Sequence, residues 1–383
     1  MFMKKIMRIT TVPISLKNLL KGQLKYMSSF FNIIGISSSG NEIKDIEKDE
    51  GIRVIKIEMT RSITPLKDLI SVYKLYKTFK KEKPFIVHTH TPKAGTVGMI
   101  ASKLAGVPHR LHTIAGLPLV EATGAKRWLL NVVEKITYAC ATKIYPNSFG
   151  LKDIILENKF TKHNKLKVIG NGSSNGIDVD YFNKEQLDST QISTLRGELN
   201  LDNNDIVFIF VGRLVTDKGI NELISVFKKI CIKYINVKLL LVGTFENELD
   251  PLHEDTLKEI ESNNNILAVG WQTDVRPYFA VSNVLVFPSY REGFPNVVMQ
   301  AGAMNLPSIV TDINGCNEII KDNVNGIIIP PKNVEKLFKA MVTLIEDSDE
   351  RIALARASQK IICTNYKREV IWEALLQEYQ NLK

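Results

Sequence analysis

The residues best suited to chemistry lie in a strand–loop–helix–strand segment at 284–310. An apolar run at its start is short enough for a buried strand, and the apolar spacing from Asn296 predicts a helix. Glu292 stands in the loop between them, in the turn-forming sequence Glu-Gly-Phe-Pro. The N–H groups of Phe294–Val297 are expected at the helix N-terminus, which favours an anion such as phosphate. The alternative is an ordinary turn in which Glu292 is a preferred helix-start residue.

Two cations stand in a second loop that follows a strand-like run. The segment begins with Gly212-Arg213 and ends with Lys218-Gly219. Arginine binds phosphate oxygens bidentately and lysine acts as a point charge. Together Arg213 and Lys218 could neutralise a leaving diphosphate. The alternative is a pair of surface cations.

Several enzyme classes that are identified by short sequence motifs are disfavoured. The chain has no GxGxxG, GxxxxGK[ST], GxSxG, HExxH or CxxC pattern. Asp178 and Asp180 formally spell DxD, but they follow Asn-Gly and are interpreted as a turn and helix start. His88 and His90 are expected to face opposite sides of a strand, which disfavours a shared metal. We therefore expect no metal and no other cofactor.

Bulk properties indicate a two-domain globular protein. A length of 383 residues is long for one core. No apolar run reaches the ~18 residues of a membrane helix, and no signal-peptide core is visible. The four cysteines are scattered, as is typical of reduced cytosolic thiols. These features predict a cytoplasmic location.

Positive charge is concentrated in the first part of the chain. Residues 1–150 carry 24 Lys and Arg against 10 Asp and Glu, a net of +14, which leaves −5 for the rest. Such a surface suits a phosphorylated ligand, a nucleic acid or an anionic membrane, unless it is simply a solvated lysine-rich surface. The basic helices lack interleaved aromatic residues in a recognisable module, so no nucleic-acid partner is expected.

Two basic helices are candidates for the membrane contact. The one near 15–28 has an apolar stripe interpreted as core-facing and a row of lysines interpreted as membrane-facing; the stripe is Leu16, Leu19, Leu20, Leu24 and Met27. The one near 65–83 has apolar residues on one side and a basic surface beside them; the apolar residues are Leu66, Leu69, Ile70, Tyr73, Tyr76 and Phe79. We expect both helices to bind anionic vesicles in a salt-dependent way.

Strand and helix patterns alternate along both halves of the chain. This alternation favours an α/β protein with two doubly wound parallel sheets, and the boundary is expected near residues 180–200. Ligands of such sheets bind at the carboxyl ends of the strands, so a cleft between two such domains is the expected site.

The motifs together resemble glycosyltransferase family 4, the retaining nucleotide-sugar transferases. They run over nearly the whole chain: Val87-His-Thr-His90, His88 to Gly95, Ala115-Gly116-Leu117-Pro118, Asn175-Gly176-Ile177-Asp178, Gly212-Arg213 with Lys218-Gly219, Pro288-Ser289-x-x-Glu292-Gly293-Phe294-Pro295-Asn296, and Gly315-x-x-Glu318. The resemblance is greatest to transferases that extend lipid-linked oligosaccharides for capsule, O-antigen or exopolysaccharide.

The resemblance implies a GT-B architecture, with two Rossmann-like domains facing a deep cleft. An acceptor-binding domain would span 1–185 and a nucleotide-sugar-binding domain 186–365. A C-terminal helix at 366–383 would cross back to the first domain.

The resemblance also implies roles for individual residues. Arg213 and Lys218 would hold the donor diphosphate and Glu292 a hydroxyl of the donor sugar. The remaining donor and substrate contacts would come from Gly212, Gly293, Phe294, Pro295, Asn296, Val297, Val298, His90 and Gly116, with Gln300 at the position that usually holds the ribose diol.

The chain departs from the family pattern at three places. Gln300 replaces a glutamate, so the ribose diol would meet a neutral acceptor. Ala115 stands where relatives often have a histidine, and Val12-Pro13-Ile14 replaces a double glycine after the first strand.

The expected activity is metal-independent, retaining transfer of a sugar, a hexose or N-acetylhexosamine, from a nucleotide diphosphate. The expected nucleotide is UDP, and the expected acceptor is a lipid-linked saccharide at the inner face of the cytoplasmic membrane. Alternatives are a sugar-nucleotide epimerase of the same fold and a nucleotide-sugar-binding module without turnover.

Overall fold

The chain folds into two compact units. The computed structural model describes residues 3–60, 62, 64–117, 123–246, 248 and 250–383. The first unit contains Met1–Gly176 and Arg368–Lys383, and the second contains Ile177–Lys367. Each unit has its own six-stranded parallel sheet, which confirms the predicted pair of Rossmann-like domains.

The first unit has the strand order β3-β2-β1-β4-β5-β6. Its strands are β1 (Lys5–Ile9), β2 (Asn32–Ser37), β3 (Arg53–Lys56), β4 (Ile86–Thr89), β5 (His109–Ile114) and β6 (Lys143–Pro146). The helices that cover the sheet are α1 (Pro13–Leu19), α2 (Gln23–Ser28), α3 (Glu42–Glu50), α4 (Pro65–Glu82), α5 (Pro92–Ala105), α6 (Gly124–Cys140) and α7 (Phe149–Glu157). The order reverses between β1 and β4.

The second unit has the order β12-β11-β10-β7-β8-β9, which reverses between β7 and β10. Its strands are β7 (Ile206–Val211), β8 (Val237–Val242), β9 (Ile266–Gly270), β10 (Val284–Phe287), β11 (Ser308–Thr311) and β12 (Gly326–Ile329). Its helices are α8 (Ser189–Glu198), α9 (Ile220–Lys233), α10 (Glu254–Ser262), α11 (Arg276–Ala280), α12 (Asn296–Ala303), α13 (Cys316–Ile319), α14 (Val334–Glu346) and α15 (Ser348–Asn365). The central strands are almost wholly apolar because helices cover both faces of a parallel sheet.

The division between the units differs in detail from the expected boundaries at 185 and 365. Residues from Ile177 onward pack with the second unit: the Ile177 amide donates to the Tyr366 carbonyl at 2.7 Å, and Phe182 is buried in the second core. The last helix, α16 (Arg368–Gln380), belongs to the first unit. There the Tyr379 hydroxyl lies 2.5 Å from His88 Nδ1.

The helix predicted near 15–28 is broken into α1 and α2. Gly22 lies at the break with φ of +79°, and a Cβ there would come within 2.8 Å of the Trp372 ring. Most of the predicted stripe is fully buried, including Leu16 and Leu24. This stripe therefore faces the core as predicted. Of the lysines on these two helices, Lys17 pairs with Asp45 at 2.6 Å and Lys25 is exposed.

Helix α4 buries only the C-terminal end of its predicted apolar side. Leu75 and Phe79 pack into the core, whereas Leu66 and Leu69 are 79% and 65% exposed. The buried residues Ser71, Leu75 and Phe79 recur every four positions, and the apolar row near the start of the helix lies off this line and faces solvent. Among the residues described, no helix is both long and apolar enough to cross a membrane.

Candidate active site

Lys218 and Glu292 form an ion pair in the second unit. Lys218 ends a single 3₁₀ turn between β7 and α9, and Glu292 lies in the loop between β10 and α12. The Lys218 Nζ and Glu292 Oε1 atoms are 2.5 Å apart, and the side chains are only 15% and 16% exposed. Because β7 and β10 are neighbours, both loops leave the same edge of the sheet, where its strand order reverses. Such a reversal is the usual ligand position in an open α/β sheet.

Two glycines allow the loops to approach this closely. Gly219 has φ of +72°, and a Cβ there would lie 2.2 Å from the Pro288 carbonyl oxygen. Gly315 has φ of +78°, and its Cβ would lie 2.4 Å from the Gly293 carbonyl oxygen. Any larger residue would force the loops around Lys218 and Glu292 apart.

Arg213 is held by a different carboxylate. It follows β7 and Gly212, is half exposed, and its guanidinium pairs with Glu246 in the loop after β8. Sequence reasoning missed Glu246, although its position shortly after an apolar strand was a usable signal. A phosphate at Arg213 would share or replace this partner.

Contacts with Asn314 and Tyr366 hold the loop that carries Glu292 in place. The Asn314 side-chain amide donates to the Glu292 carbonyl and, at 3.4 Å, to the Gly293 carbonyl. Phe294 is buried with its ring 5.6 Å from that of Tyr366. Sequence reasoning missed Asn314, which directly precedes the noted Gly315-x-x-Glu318 motif. These contacts leave the Glu292 side chain directed toward Lys218.

Helix α12 begins directly after this loop, as predicted. Pro295 occupies the N-cap position and is buried, whereas Asn296 is exposed. The Val298 amide already donates to the Pro295 carbonyl at 3.2 Å, so it is engaged within the helix. Val297 and Gln300 are half buried, with Gln300 one turn beyond Asn296.

Burial keeps a nearby cysteine protonated. Cys316 begins α13 and is completely buried. Burial, and secondarily the negative charge of Glu292, raise the pKa of its thiol well above the ordinary value. Since the thiolate is the nucleophilic form, Cys316 is unsuited to covalent catalysis.

The remaining predicted residues lie in the first unit. His90 follows β4 and is buried, with its Nε2 accepting a hydrogen bond from Arg8 Nε at 2.9 Å. Gly116 lies in the loop after β5 and is half buried. Pro118, part of the motif around Gly116, lies outside the residues described.

The expectation that His88 and His90 face opposite sides is wrong. Their ring centroids are 4.2 Å apart, because alternate residues of an extended chain lie on the same face.

Asp178, the first residue of the formal DxD pattern, accepts a hydrogen bond from the Tyr181 amide at 3.0 Å, as expected for a turn. Within the part of the chain that the structure describes, no group of three or more His, Cys, Asp or Glu side chains could hold a metal ion.

Comparisons with known proteins match both units. The first matches the family model "Glycosyl transferase 4-like" over residues 21–148, and the second matches "Glycosyl transferases group 1" over residues 191–361. The chain is 36% identical over 377 residues to the capsular polysaccharide biosynthesis glycosyltransferase CapM of Staphylococcus aureus, covering 98% of this chain and 97% of the relative.

A second relative and a solved structure agree with this match. The Escherichia coli UDP-Gal:alpha-D-GlcNAc-diphosphoundecaprenol alpha-1,3-galactosyltransferase is 30% identical, covering 82% of this chain and 80% of the relative. The crystal structure of Anabaena HepE in complex with UDP superposes with a TM-score of 0.80 at 19% identity, covering 99% of this chain and 100% of HepE. The chain therefore belongs to glycosyltransferase family 4 and has the GT-B fold.

Proposed function

We propose that this glycosyltransferase moves a sugar from UDP to a lipid-linked saccharide, without a metal and with retention of configuration at the sugar carbon. The observation that carries the proposal is the Lys218–Glu292 ion pair at the carboxyl edge of the second sheet. It places a cation and a hydrogen-bond acceptor 2.5 Å apart, so that one can contact the diphosphate and the other a hydroxyl of the sugar.

Lys218 and Arg213 stabilise the leaving diphosphate in this proposal. Lys218 is nearly buried, so water screens its charge less than at an exposed site, and its interaction with developing negative charge is strengthened. Arg213 is half exposed and adds a bidentate phosphate contact when it turns from Glu246. Two side-chain cations then supply the positive charge that a metal ion supplies in other transferases.

Glu292 accepts a hydrogen bond from a donor-sugar hydroxyl. Its carboxylate is bound to Lys218 and its backbone is held by Asn314, which suits orientation of a substrate rather than attack on it. With Glu292 so engaged and Cys316 a thiol, front-face displacement by the acceptor hydroxyl fits these residues and leads to retention.

The acceptor assignment rests on the relatives and on the first unit. The Escherichia coli relative is named for a diphosphoundecaprenol-linked acceptor. In this chain, α4 presents exposed Leu66 and Leu69 together with Lys67 and Lys74. Apolar residues flanked by lysines suit the interface of an anionic membrane, so we place the enzyme peripherally at the inner face of the cytoplasmic membrane.

The test compares Lys218→Ala with Lys336→Ala, a change of an exposed lysine on α14. Purified protein is mixed with UDP-sugars and lipid-linked acceptors, and the products are separated and their linkage determined. Lys218→Ala should lower turnover about 100- to 1,000-fold without unfolding, because one preorganised charge on the leaving group is lost. Lys336→Ala should retain turnover.

Three outcomes would contradict the proposal. Wild-type turnover in Lys218→Ala would exclude its role in leaving-group stabilisation. Epimerised UDP-sugar in the absence of acceptor would indicate an epimerase. Calorimetric binding of UDP without transfer to any acceptor would indicate a binding module.

A further inference from the structure

A small polar cavity lies inside the first unit, where its strand order reverses between β1 and β4. It encloses about 20 Å³. Its polar lining comes from the strands near their carboxyl ends, from α2 and from the segment after β6, and includes Arg8, Gln23, His90, Thr113, Asn147 and Ser174. This is the ligand position of an open sheet, yet the cavity is far smaller than a sugar.

Arg8 places a positive charge without a directly bonded carboxylate beside this cavity; the buried Glu50 acts on it only at longer range. Its side chain is completely buried. Its Nε donates to His90 Nε2 at 2.9 Å and its Nη2 to Gln23 Oε1 at 2.5 Å, and both partners are neutral acceptors. In the part of the chain that the structure describes, no carboxylate forms an ion pair with Arg8. A buried cation with only neutral partners is destabilising unless an anion accompanies it.

Among the residues described, three that line the cavity carry a hydrogen-bond donor without a protein partner. Arg8 Nη1 is the first. His90 Nδ1 is the second: because its Nε2 accepts from Arg8, the neutral imidazole carries its proton on Nδ1. The Ser174 hydroxyl is the third, and the Asn147 amide, whose oxygen is also unpartnered, presents a donor when it is turned by half a rotation. The surplus of donors calls for an acceptor with negative charge.

We infer that the cavity binds one small monovalent anion of the size of chloride, held by Arg8, His90 and Ser174. One water-sized occupant needs about 10–15 Å³, so the cavity holds a single atom of this size and excludes a phosphate group. The anion neutralises Arg8 and connects β1 and the segment after β4 to the segment that contains Ser174. It stabilises the first unit, and the inference does not rest on glycosyl transfer.

The first test measures thermal unfolding of the full chain in sodium chloride and in sodium gluconate at equal ionic strength. Gluconate is too large for the cavity. Chloride should raise Tm with a saturable concentration dependence, by about 3–5 °C at tenfold excess over its Kd. Equal Tm values in the two salts would overturn the inference.

Variants separate this site from general salt effects. Arg8→Gln should abolish the difference in Tm between chloride and gluconate. Ser174→Ala should shift the midpoint of the Tm increase to a higher chloride concentration. Ser308→Ala is the matched control, since Ser308 is also buried with an unpartnered hydroxyl but lies in the second unit. A response to chloride that is the same in Ser174→Ala as in Ser308→Ala would contradict the site.

The second test uses wild-type protein and is independent of how Arg8→Gln folds. Crystals are soaked in sodium bromide and data are collected at the bromine absorption edge. An anomalous difference peak beside Arg8 Nη1, His90 Nδ1 and Ser174 Oγ is expected. Density there without an anomalous signal would identify an uncharged water and overturn the inference.

Discussion

At the scale of single residues, Gln300 is the position of the proposed donor site with the clearest chemical consequence. It lies on α12 and is half buried, one turn beyond Asn296. An amide oxygen accepts a hydrogen bond from a hydroxyl, but a carboxylate accepts two with a negative charge. We expect the ribose diol to be bound more weakly here than by a glutamate.

Gln300→Glu should therefore tighten UDP binding. A charge-assisted hydrogen bond exceeds a neutral one by about 1 kcal/mol, which corresponds to a roughly fivefold lower Kd by calorimetry. The control ligand is 2′,3′-dideoxy-UDP, whose affinity should not rise because it lacks the diol. An equal gain for both ligands would show that the new charge acts elsewhere.

Three buried histidines should make stability depend on pH. Burial, reinforced by neighbouring Arg8, lowers the pKa values of His88 and His90 well below 6.5, and burial lowers the pKa of His112 to about 4. Above pH 6.5 these groups are neutral in both states and contribute nothing. Below it the unfolded chain binds more protons, so the free energy of unfolding falls as pH falls from 6.5 toward 4.

Denaturant titrations at several pH values between 6.5 and 5 measure this effect, above the range in which most carboxylates titrate. His112 alone should cost about 3 kcal/mol by pH 4, since each pKa unit corresponds to ~1.4 kcal/mol. His112→Gln should flatten the dependence, whereas replacing the exposed His163 should leave it unchanged. A slope unaffected by His112→Gln would refute the assignment.

At the scale of elements, the proposed donor site depends on loops whose backbones are in direct contact, with no side chain between them. The turn before α9 meets the end of β10 at Gly219, and the start of α13 meets the Glu292 loop at Gly315. Both contacts are between backbone atoms, so rotating a side chain cannot make room for a Cβ at either glycine. The Lys218–Glu292 distance therefore depends on two glycines.

Gly219→Ala should destabilise the second unit by at least about 2 kcal/mol, because a left-handed residue and a backbone clash are combined. Urea titration measures it. Gly197→Ala on α8 is the matched control, since a Cβ there meets no atom within 4 Å and a helical alanine is preferred to glycine. Equal midpoints for the two variants would contradict this account.

At the scale of the whole molecule, charge and exposed apolar residues coincide in the first unit. The first 150 residues carry a net +14 while the remainder is negative. The start of α4 adds exposed leucines to this basic surface, whereas the stripe of α1 and α2 is buried. If the protein binds a membrane as proposed, attraction to anionic lipid and insertion of apolar side chains would therefore act at the same helix.

Vesicle sedimentation at low and high salt tests this surface. Leu66→Ser combined with Leu69→Ser should lower affinity for phosphatidylglycerol vesicles at least about tenfold, because two inserted side chains are lost. The matched control replaces the exposed Ile232 and Ile235 of the second unit and should bind like wild type. Binding that is insensitive to salt, or lost equally in the control, would argue against α4 as the contact.

The α/β fold class and most local features of the proposed donor site follow from the sequence alone. Apolar runs alternating with helical patterns favour parallel sheets, and the strand before Glu292 and the helix from Asn296 form as predicted. These features are local, because they depend on the order of residue types within about twenty positions.

Only the tertiary structure decided which distant residues meet. Lys218 contacts Glu292 because β7 and β10 are neighbours, whereas Arg213 pairs with Glu246 from the loop after β8. The burial of Arg8 beside His90 likewise depends on the adjacency of β1 and β4. Strand adjacency is set by how the helices pack on both faces of a sheet, and no local pattern of residues encodes it.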